Sequence, residues 1–233
     1  MKYRCANCGG EADKWISYCP RCGETYCFVP VVVKASDYVL QGNSEPKSTA
    51  ELIRDEMKYL PLTKEWSEIF GMLPDEPFCL LVYGEPGVGK TTFLLKLSDY
   101  LTRFGNVFFN AIEENTGPTM IEKLKRLEII KKNLFVGCQT DLVNILNFIM
   151  DKKIKFLVID PINLVNLTTN EIGKMMNDYD MAVLMTCHVT KELNPKGDSS
   201  WLHFVDVLAE IKQDRIILRK NRFGKIREVN YAI

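Results

Sequence analysis

An α/β fold, with a mostly parallel sheet flanked by helices and a small N-terminal module built on four cysteines, is predicted for this chain of 233 residues. Three observations predict it. Two Cys-x2-Cys pairs stand at the front, Cys5 with Cys8 and Cys19 with Cys22. A glycine-rich loop, Gly84-Glu85-Pro86-Gly87-Val88-Gly89-Lys90-Thr91, lies between an apolar run and a helical pattern. Beyond that loop, strand-like apolar runs alternate with helix-like segments.

Composition bounds what the chain can be. A hydrophobic share of 46% and a charged share of 26% suit one full core with a small satellite. The 30 Lys and Arg balance the 30 Asp and Glu, which excludes a globally basic nucleic-acid binder and leaves only local patches for that role. Met1-Lys2-Tyr3-Arg4 runs straight into the cysteines with no apolar leader. No later apolar run approaches the roughly 20 residues that span a bilayer, so a soluble cytoplasmic protein without membrane partners is expected. In a reducing compartment the 8 cysteines stay thiols or bind metal. Cys27, Cys79, Cys138 and Cys187 are scattered, mostly in apolar stretches, and read as buried packing residues.

In chain order the cysteine quartet comes first. Each Cys-x2-Cys pair sets two thiolates on one tight turn at the spacing a tetrahedral Zn²⁺ wants, and Gly9 and Gly23 directly after the pairs supply the left-handed backbone of such knuckles. A disulfide-linked or free-thiol loop is the competing reading. A module of about 25 residues cannot hold a core unaided, however, and metal binding would supply its folding energy. Four sulfurs leave no open position for water, so the zinc would be structural. Residues 1–27 are therefore expected to form a zinc finger and 28–47 a linker, in which Val29 to Val33 reads as a strand and Gln41 to Lys47 as turn chemistry. The second domain, 48–233, opens with two amphipathic helices. Ser48 or Thr49 caps the first through Tyr59, and Thr63 caps the second through Phe70.

Phe78 to Tyr83 is a continuous apolar run, as in a strand buried on both faces, and a helix begins at Thr91. The loop between them makes a nucleotide site. The loop from Gly84, Glu85, Pro86, Gly87, Val88 and Gly89 through Lys90, Thr91 and Thr92 wraps the phosphates with its backbone N–H groups, to which Pro86 contributes none. The Lys90 ammonium reaches the β and γ oxygens and the Thr91 hydroxyl ligates Mg²⁺. Strands at Val107 to Ala111 and Leu134 to Val136 alternate with helices at Thr119 to Leu127 and Asp141 to Met150, which is a doubly wound or RecA-like layer. Lys155 to Ile159 then leads to Asp160 at a strand's C-terminal end, the Walker B form, which places Asp160 near the Mg²⁺. Its plainer reading is a strand-terminal Asp capping the next turn. Glu113-Glu114 follow the strand at Val107 to Ala111, expected to neighbour the phosphate-loop strand, where a carboxylate can orient and deprotonate the water that attacks the γ-phosphate. A solvated acidic loop is the other reading, and the sequence does not choose.

Several segments resemble the bacterial RadA (Sms) family of RecA-related ATPases of DNA repair and recombination. Tyr3 to Gly9 with Lys14-Trp15 and Cys19 to Gly23 looks like that family's zinc finger; His188-Val189-Thr190-Lys191-Glu192 and Trp201 to Asp206 look like two later motifs; Lys220-Asn221-Arg222-Phe223-Gly224 matches its KNRFG signature. The resemblance implies a hexameric ring of ATPases that binds single-stranded DNA and drives branch migration, with a recombinase or replication protein as a further partner. It puts Glu113 at the catalytic glutamate, with Glu114 beside it. His188 and Lys191 fall in the γ-phosphate sensor. Lys220 and Arg222 would act as fingers in trans on the neighbouring subunit's ATP. On the residues alone, the stretch from Lys212 to Arg227 reads as a solvated basic hairpin turning at Phe223-Gly224.

The chain also departs from that family. It ends at Ile233, so the Lon-protease-like C-terminal domain is expected to be absent. The region between Asp160 and Met181 is short, and Pro161 stands where the family has Ser. The reading is a zinc-finger-bearing RecA-like P-loop NTPase core that couples ATP turnover to single-stranded DNA. The alternatives are an ATP-dependent assembly module that binds protein clients through its zinc finger, and a non-hydrolysing relative in which ATP only seals interfaces.

Overall fold

The computed structural model describes residues 3–5, 7–12, 16–25, 28–30, 46–54, 57–190, 195 and 200–231, and its contacts divide the chain into two compact units, Met1–Val39 and Leu40–Ile233. In the first unit, β1 (Tyr3–Cys5) pairs antiparallel with β2 (Glu11–Ala12) on one side and β3 (Phe28–Pro30) on the other. The strand expected from Val29 to Val33 thus begins at Phe28 inside the N-terminal unit, and that unit reaches past residue 27 because β3 hydrogen-bonds to β1. Residues 31–45, which carry most of the expected linker, lie outside the described residues.

In the second unit, α1 (Thr49–Arg54) starts where the sequence predicts. The Ser48 N–H and hydroxyl donate to Glu51, whose own N–H donates to the Ser48 hydroxyl at 3.3 Å, a reciprocal cap. The helix does not continue to Tyr59. Tyr59 bridges Pro74, and the Leu60 N–H donates to the Leu73 carbonyl, while Pro61 disfavours helical backbone just ahead of it. The second helix, α2 (Lys64–Phe70), ends as expected at Gly71, with φ of 76°. It packs through Trp66 and Phe70 on Phe93 and Tyr100, and the Tyr100 hydroxyl ties its entry by accepting from the Thr63 N–H and donating to the Pro61 carbonyl.

The remaining elements are β4 (Cys79–Tyr83), α3 (Lys90–Leu101), β5 (Asn106–Ala111), α4 (Pro118–Arg126), β6 (Leu134–Gly137), α5 (Leu142–Lys152), β7 (Ile154–Asp160), α6 (Thr169–Tyr179), β8 (Ala182–Thr186), α7 (Ser200–Phe204), β9 (Val207–Ile211), β10 (Arg215–Asn221) and β11 (Glu228–Asn230). They build an 8-stranded sheet in the order β11-β10-β9-β4-β8-β7-β5-β6. The pairs from β9 to β6 are parallel, and only β9-β10 and β10-β11 are antiparallel. This is the mostly parallel, helix-flanked sheet predicted, but β5 does not neighbour the phosphate-loop strand β4 as expected: β8 and β7, later in the chain, insert between them. The period of two along β4 sorts its side chains between two cores. Leu80 and Val82 join Phe93, Leu94 and Leu97 of α3, whereas Cys79, Leu81 and Tyr83 join Ile145 and Ile149 of α5 and Ile172 and Met175 of α6. Burial on both faces explains why the strand reads as an unbroken apolar run.

The sequence reading assigned nothing to α6. Its signal is Thr168-x-x-Glu171, a complete capping box in the structure. Cys79 and Cys187 are buried as expected, Cys138 is partly exposed, and Cys27 lies outside the described residues. No described helix is long and apolar enough to cross a membrane.

Candidate functional site

Parallel strands deliver their C-terminal ends to one edge of a sheet, and here β4, β8, β7 and β5 bring the site together there. The turn from β4 into α3 is made by three glycines with positive φ, Gly84 at 154°, Gly87 at 76° and Gly89 at 100°. Gly84 also has no room for a side chain, because a Cβ there would sit 2.3 Å from the Ile211 carbonyl oxygen. The result is a phosphate loop ending at the N-terminus of a 12-residue helix, where backbone N–H groups and the helix dipole favour an anion. The Lys90 ammonium donates to the Gly84 and Glu85 carbonyls, each at 2.9 Å, which holds it over the loop. Burial pushes its pKa down, and Asp160 and Glu113 pull it back up. A bound triphosphate would complete the compensation.

Asp160 closes β7 and is 7% exposed. The Thr91 hydroxyl donates to its Oδ2 at 2.7 Å, and the Thr186 hydroxyl, at the end of the intervening β8, donates to its Oδ1. Burial pushes the Asp160 carboxyl up, and the two hydroxyls and the Lys123 charge oppose that. A hard cation beside the Thr91 hydroxyl would relieve the buried charge, so the donor set suits Mg²⁺.

The Ile112 and Glu113 N–H groups both donate to the Asp160 carbonyl, at 2.8 and 3.4 Å, which fixes where the two glutamates project. The structure distinguishes them. Glu113 is 64% exposed and lies 3.4 Å from Nε2 of His188, whose backbone N–H is held by Asn163. Glu114 is 22% exposed and paired with Lys123 of α4. Lys90, Thr91, Glu113, Glu114, Lys123, Arg126, Asp160, Thr186 and His188 line one cleft of about 640 Å³, and the phosphate loop also lines a second cleft of about 1170 Å³ beside the ends of β9 and β10. Lys191 lies outside the described residues. The sequence reading missed Thr186, Asn163, Lys123 and Arg126. For Thr186 a signal existed, a hydroxyl closing an apolar strand; Lys123 and Arg126 lie one turn apart on the helix after Glu113-Glu114.

Lys220 and Arg222 are not brought to this cleft. They sit at the N-terminal end of β4 and β9, since Asn221 pairs with Val207, which pairs with Leu80. The Lys220 ammonium donates to the Leu202 and His203 carbonyls, and Arg222 donates to the His203 carbonyl and, at 2.8 Å, to Asp206. The basic hairpin is also not a bare cationic surface. Lys212 and Arg219 pair with Glu210, Arg215 pairs with Asp214 and Glu228, and Arg227 donates to the Ser67 and Glu68 carbonyls at the end of α2.

In the N-terminal unit the four cysteine sulfurs lie within 4.8 Å of one another. Cys5 and Cys22 are 3.7 Å apart, as are Cys8 and Cys19, far beyond a disulfide and close to the roughly 3.8 Å edge of a tetrahedron with metal–sulfur bonds of about 2.3 Å. The two knuckles repeat one pattern. Cys5 N–H donates to Gly10 and Gly9 N–H to Cys5; Cys19 N–H donates to Glu24 and Gly23 N–H to Cys19. This donor set can hold a metal ion.

A phosphate loop after the first strand of a parallel layer, with Asp160 two strands away and Thr186 between, defines a P-loop NTPase core of RecA-like fold. The chain belongs to the KAP family P-loop domain, whose family model matches residues 65–223. It is similar to the DNA repair protein RadA of Chlamydia muridarum (26% identity), of Bacillus subtilis (28%) and of Listeria monocytogenes (29%), in each case over 98% of this chain and 56% of that protein. The chain thus spans little more than half the length of these relatives. A solved structure, a KaiC-like protein from Pyrococcus horikoshii, superimposes with a TM-score of 0.57 at 16% identity, covering 76% of this chain and 96% of the other. At that identity the likeness concerns the fold alone.

Proposed function

We propose that the chain binds Mg²⁺·ATP at Gly84 to Thr92 and Asp160, hydrolyses it, and couples that turnover to single-stranded DNA in repair, as the RadA name of its relatives implies. The observation that carries the nucleotide reading is the Thr91–Asp160–Thr186 contact beside the Lys90 cradle, a magnesium and phosphate site assembled from three strands and a helix. Glu113 is the water-activating carboxylate in this reading, because it is the exposed one of the pair and His188 stands beside it as γ-phosphate sensor. The four cysteines hold a structural Zn²⁺ in a finger over residues 1–27 that continues through β3, the ATPase domain begins near 48, and the chain assembles as a ring, hexameric in the RadA-like case, with Lys220 and Arg222 exchanging their own-chain partners for the neighbouring ATP.

One observation favours a second reading, an assembly module that binds protein clients. The hairpin cations are engaged within the chain, so that face offers fewer phosphate contacts than its sequence promises. ATPase rate with and without single-stranded DNA separates the two. Stimulation by DNA supports the first reading, and hydrolysis indifferent to DNA supports the second. In either case Lys90→Ala should lose at least about a hundredfold in rate, since it removes the cation placed on the β and γ phosphates. Wild-type turnover in that variant would overturn the site assignment.

A further inference from the structure

Glu114 does something that neither the phosphate loop nor the water-activating role of Glu113 requires. Only one oxygen of its carboxylate is engaged, by Lys123, and the other, Oε2, is sealed from solvent without a hydrogen-bond partner among the described residues. A buried carboxylate oxygen left without a donor is costly, and such atoms mark places where a ligand or its water completes the bonding. The surroundings identify the ligand. Glu114 lines the cleft with Lys90, Thr91 and Asp160, and its charge is felt at the Asp160 carboxyl. Each Asp160 oxygen already accepts one threonine hydroxyl. An Mg²⁺ ion on a nucleotide keeps several of its waters, and each water points protons outward at whatever acceptor faces it.

We infer that Glu114 is an outer ligand of the magnesium site, its Oε2 accepting a hydrogen bond from water on the ion while Lys123 holds the carboxylate in place. This rests on the Mg²⁺·ATP reading above. The adjacent glutamates then have separate roles, with Glu113 facing His188 and the attacking water and Glu114 facing the ion. The salt bridge to Lys123 maintains this separation, because a lysine on α4 one turn from Arg126 keeps the second carboxylate from turning out to solvent. Outer-sphere acceptors of this kind typically change metal affinity by about 10- to 100-fold when removed.

The test is nucleotide binding, read by the fluorescence of a labelled ATP, as Mg²⁺ is titrated into the full chain. Glu114→Gln should raise the Mg²⁺ concentration for half-saturation by about tenfold while leaving metal-free nucleotide affinity unchanged. Glu114→Asp should recover part of that loss. Glu113→Gln should keep the wild-type Mg²⁺ requirement and lose turnover instead. An unaltered requirement in Glu114→Gln overturns the inference, as does a loss of metal-free binding, which would make the pair with Lys123 purely structural. If the wild-type chain binds no nucleotide at any Mg²⁺ concentration, the parent reading falls, and that result is distinct from failure of Glu114 alone.

Discussion

Asp160 shows how a single buried side chain can cost stability. Burial raises its carboxyl pKa above the ordinary range, with Thr186 and Thr91 only partly offsetting this. The folded chain therefore binds that proton more tightly than the unfolded chain. Stability is lost as pH rises through the raised value and is recovered as pH falls toward the ordinary carboxylate range. Near neutral pH the charge is a net burden until a cation arrives. Asp160→Asn keeps the shape and removes the charge, so it should melt a few degrees higher than wild type at pH 7 without nucleotide, with the gain shrinking in acid. The same variant should lose the Mg²⁺ dependence of nucleotide binding. Calorimetric scans at two pH values check the first claim, and a lower melting point in Asp160→Asn would count against it. Asp160, Lys90 and Thr91 were legible in the sequence because their motif is local. Thr186 is legible only as a hydroxyl closing an apolar strand; its place beside Asp160 depends on β8 lying between β4 and β7, an order that strand-by-strand reading does not supply.

At the scale of elements, those with a local code were legible and those set by tertiary contacts were not. The phosphate-loop strand and helix, the helix ending at Gly71 and the knuckle glycines follow from short-range chemistry. The first helix of the second unit stops at Arg54 instead of Tyr59 because Tyr59 and Leu60 pair with the segment around Leu73 and Pro74, which no pattern in residues 48–59 announces. The N-terminal unit has little core of its own, with only Cys5 and Cys19 fully buried in its described cluster. If the four cysteines hold zinc as proposed, Cys19→Ser should abolish binding of one zinc per chain and unfold the first unit, since the metal would supply the folding energy there. The thermal transition of the second unit should stay within about 2 °C of wild type, because its two described cores are built from residues between Leu60 and Tyr231. Elemental analysis of the purified protein, followed by a melting curve, decides this; zinc-free wild type with an intact first unit would refute it.

For the whole molecule, the decisive geometry is the distance between the hairpin and the phosphate loop. Cys79 and Asp206 exchange backbone and side-chain hydrogen bonds at one end of β4, and the loop begins at the other, five residues away, or roughly 15 Å at strand rise. Arg222, held by Asp206, therefore lies too far away to reach this chain's own phosphate loop, and the proposed role in trans is open to test. Arg222→Ala should bind ATP normally and hydrolyse it up to about 10³-fold more slowly. Mixing it with Lys90→Ala subunits should restore measurable turnover, because some interfaces then join an intact loop to an intact arginine. A mixture as inactive as its components, with activity per chain flat across dilution, would instead assign Arg222 to holding the end of α7 through the His203 carbonyl. The sheet itself carries one more consequence. Its two margins are β6, with 4 residues, and β11, with 3, each the shortest kind of template on which a foreign strand could add. A mostly parallel sheet that ends so abruptly on both sides has little open backbone on which a strand from another molecule could pair.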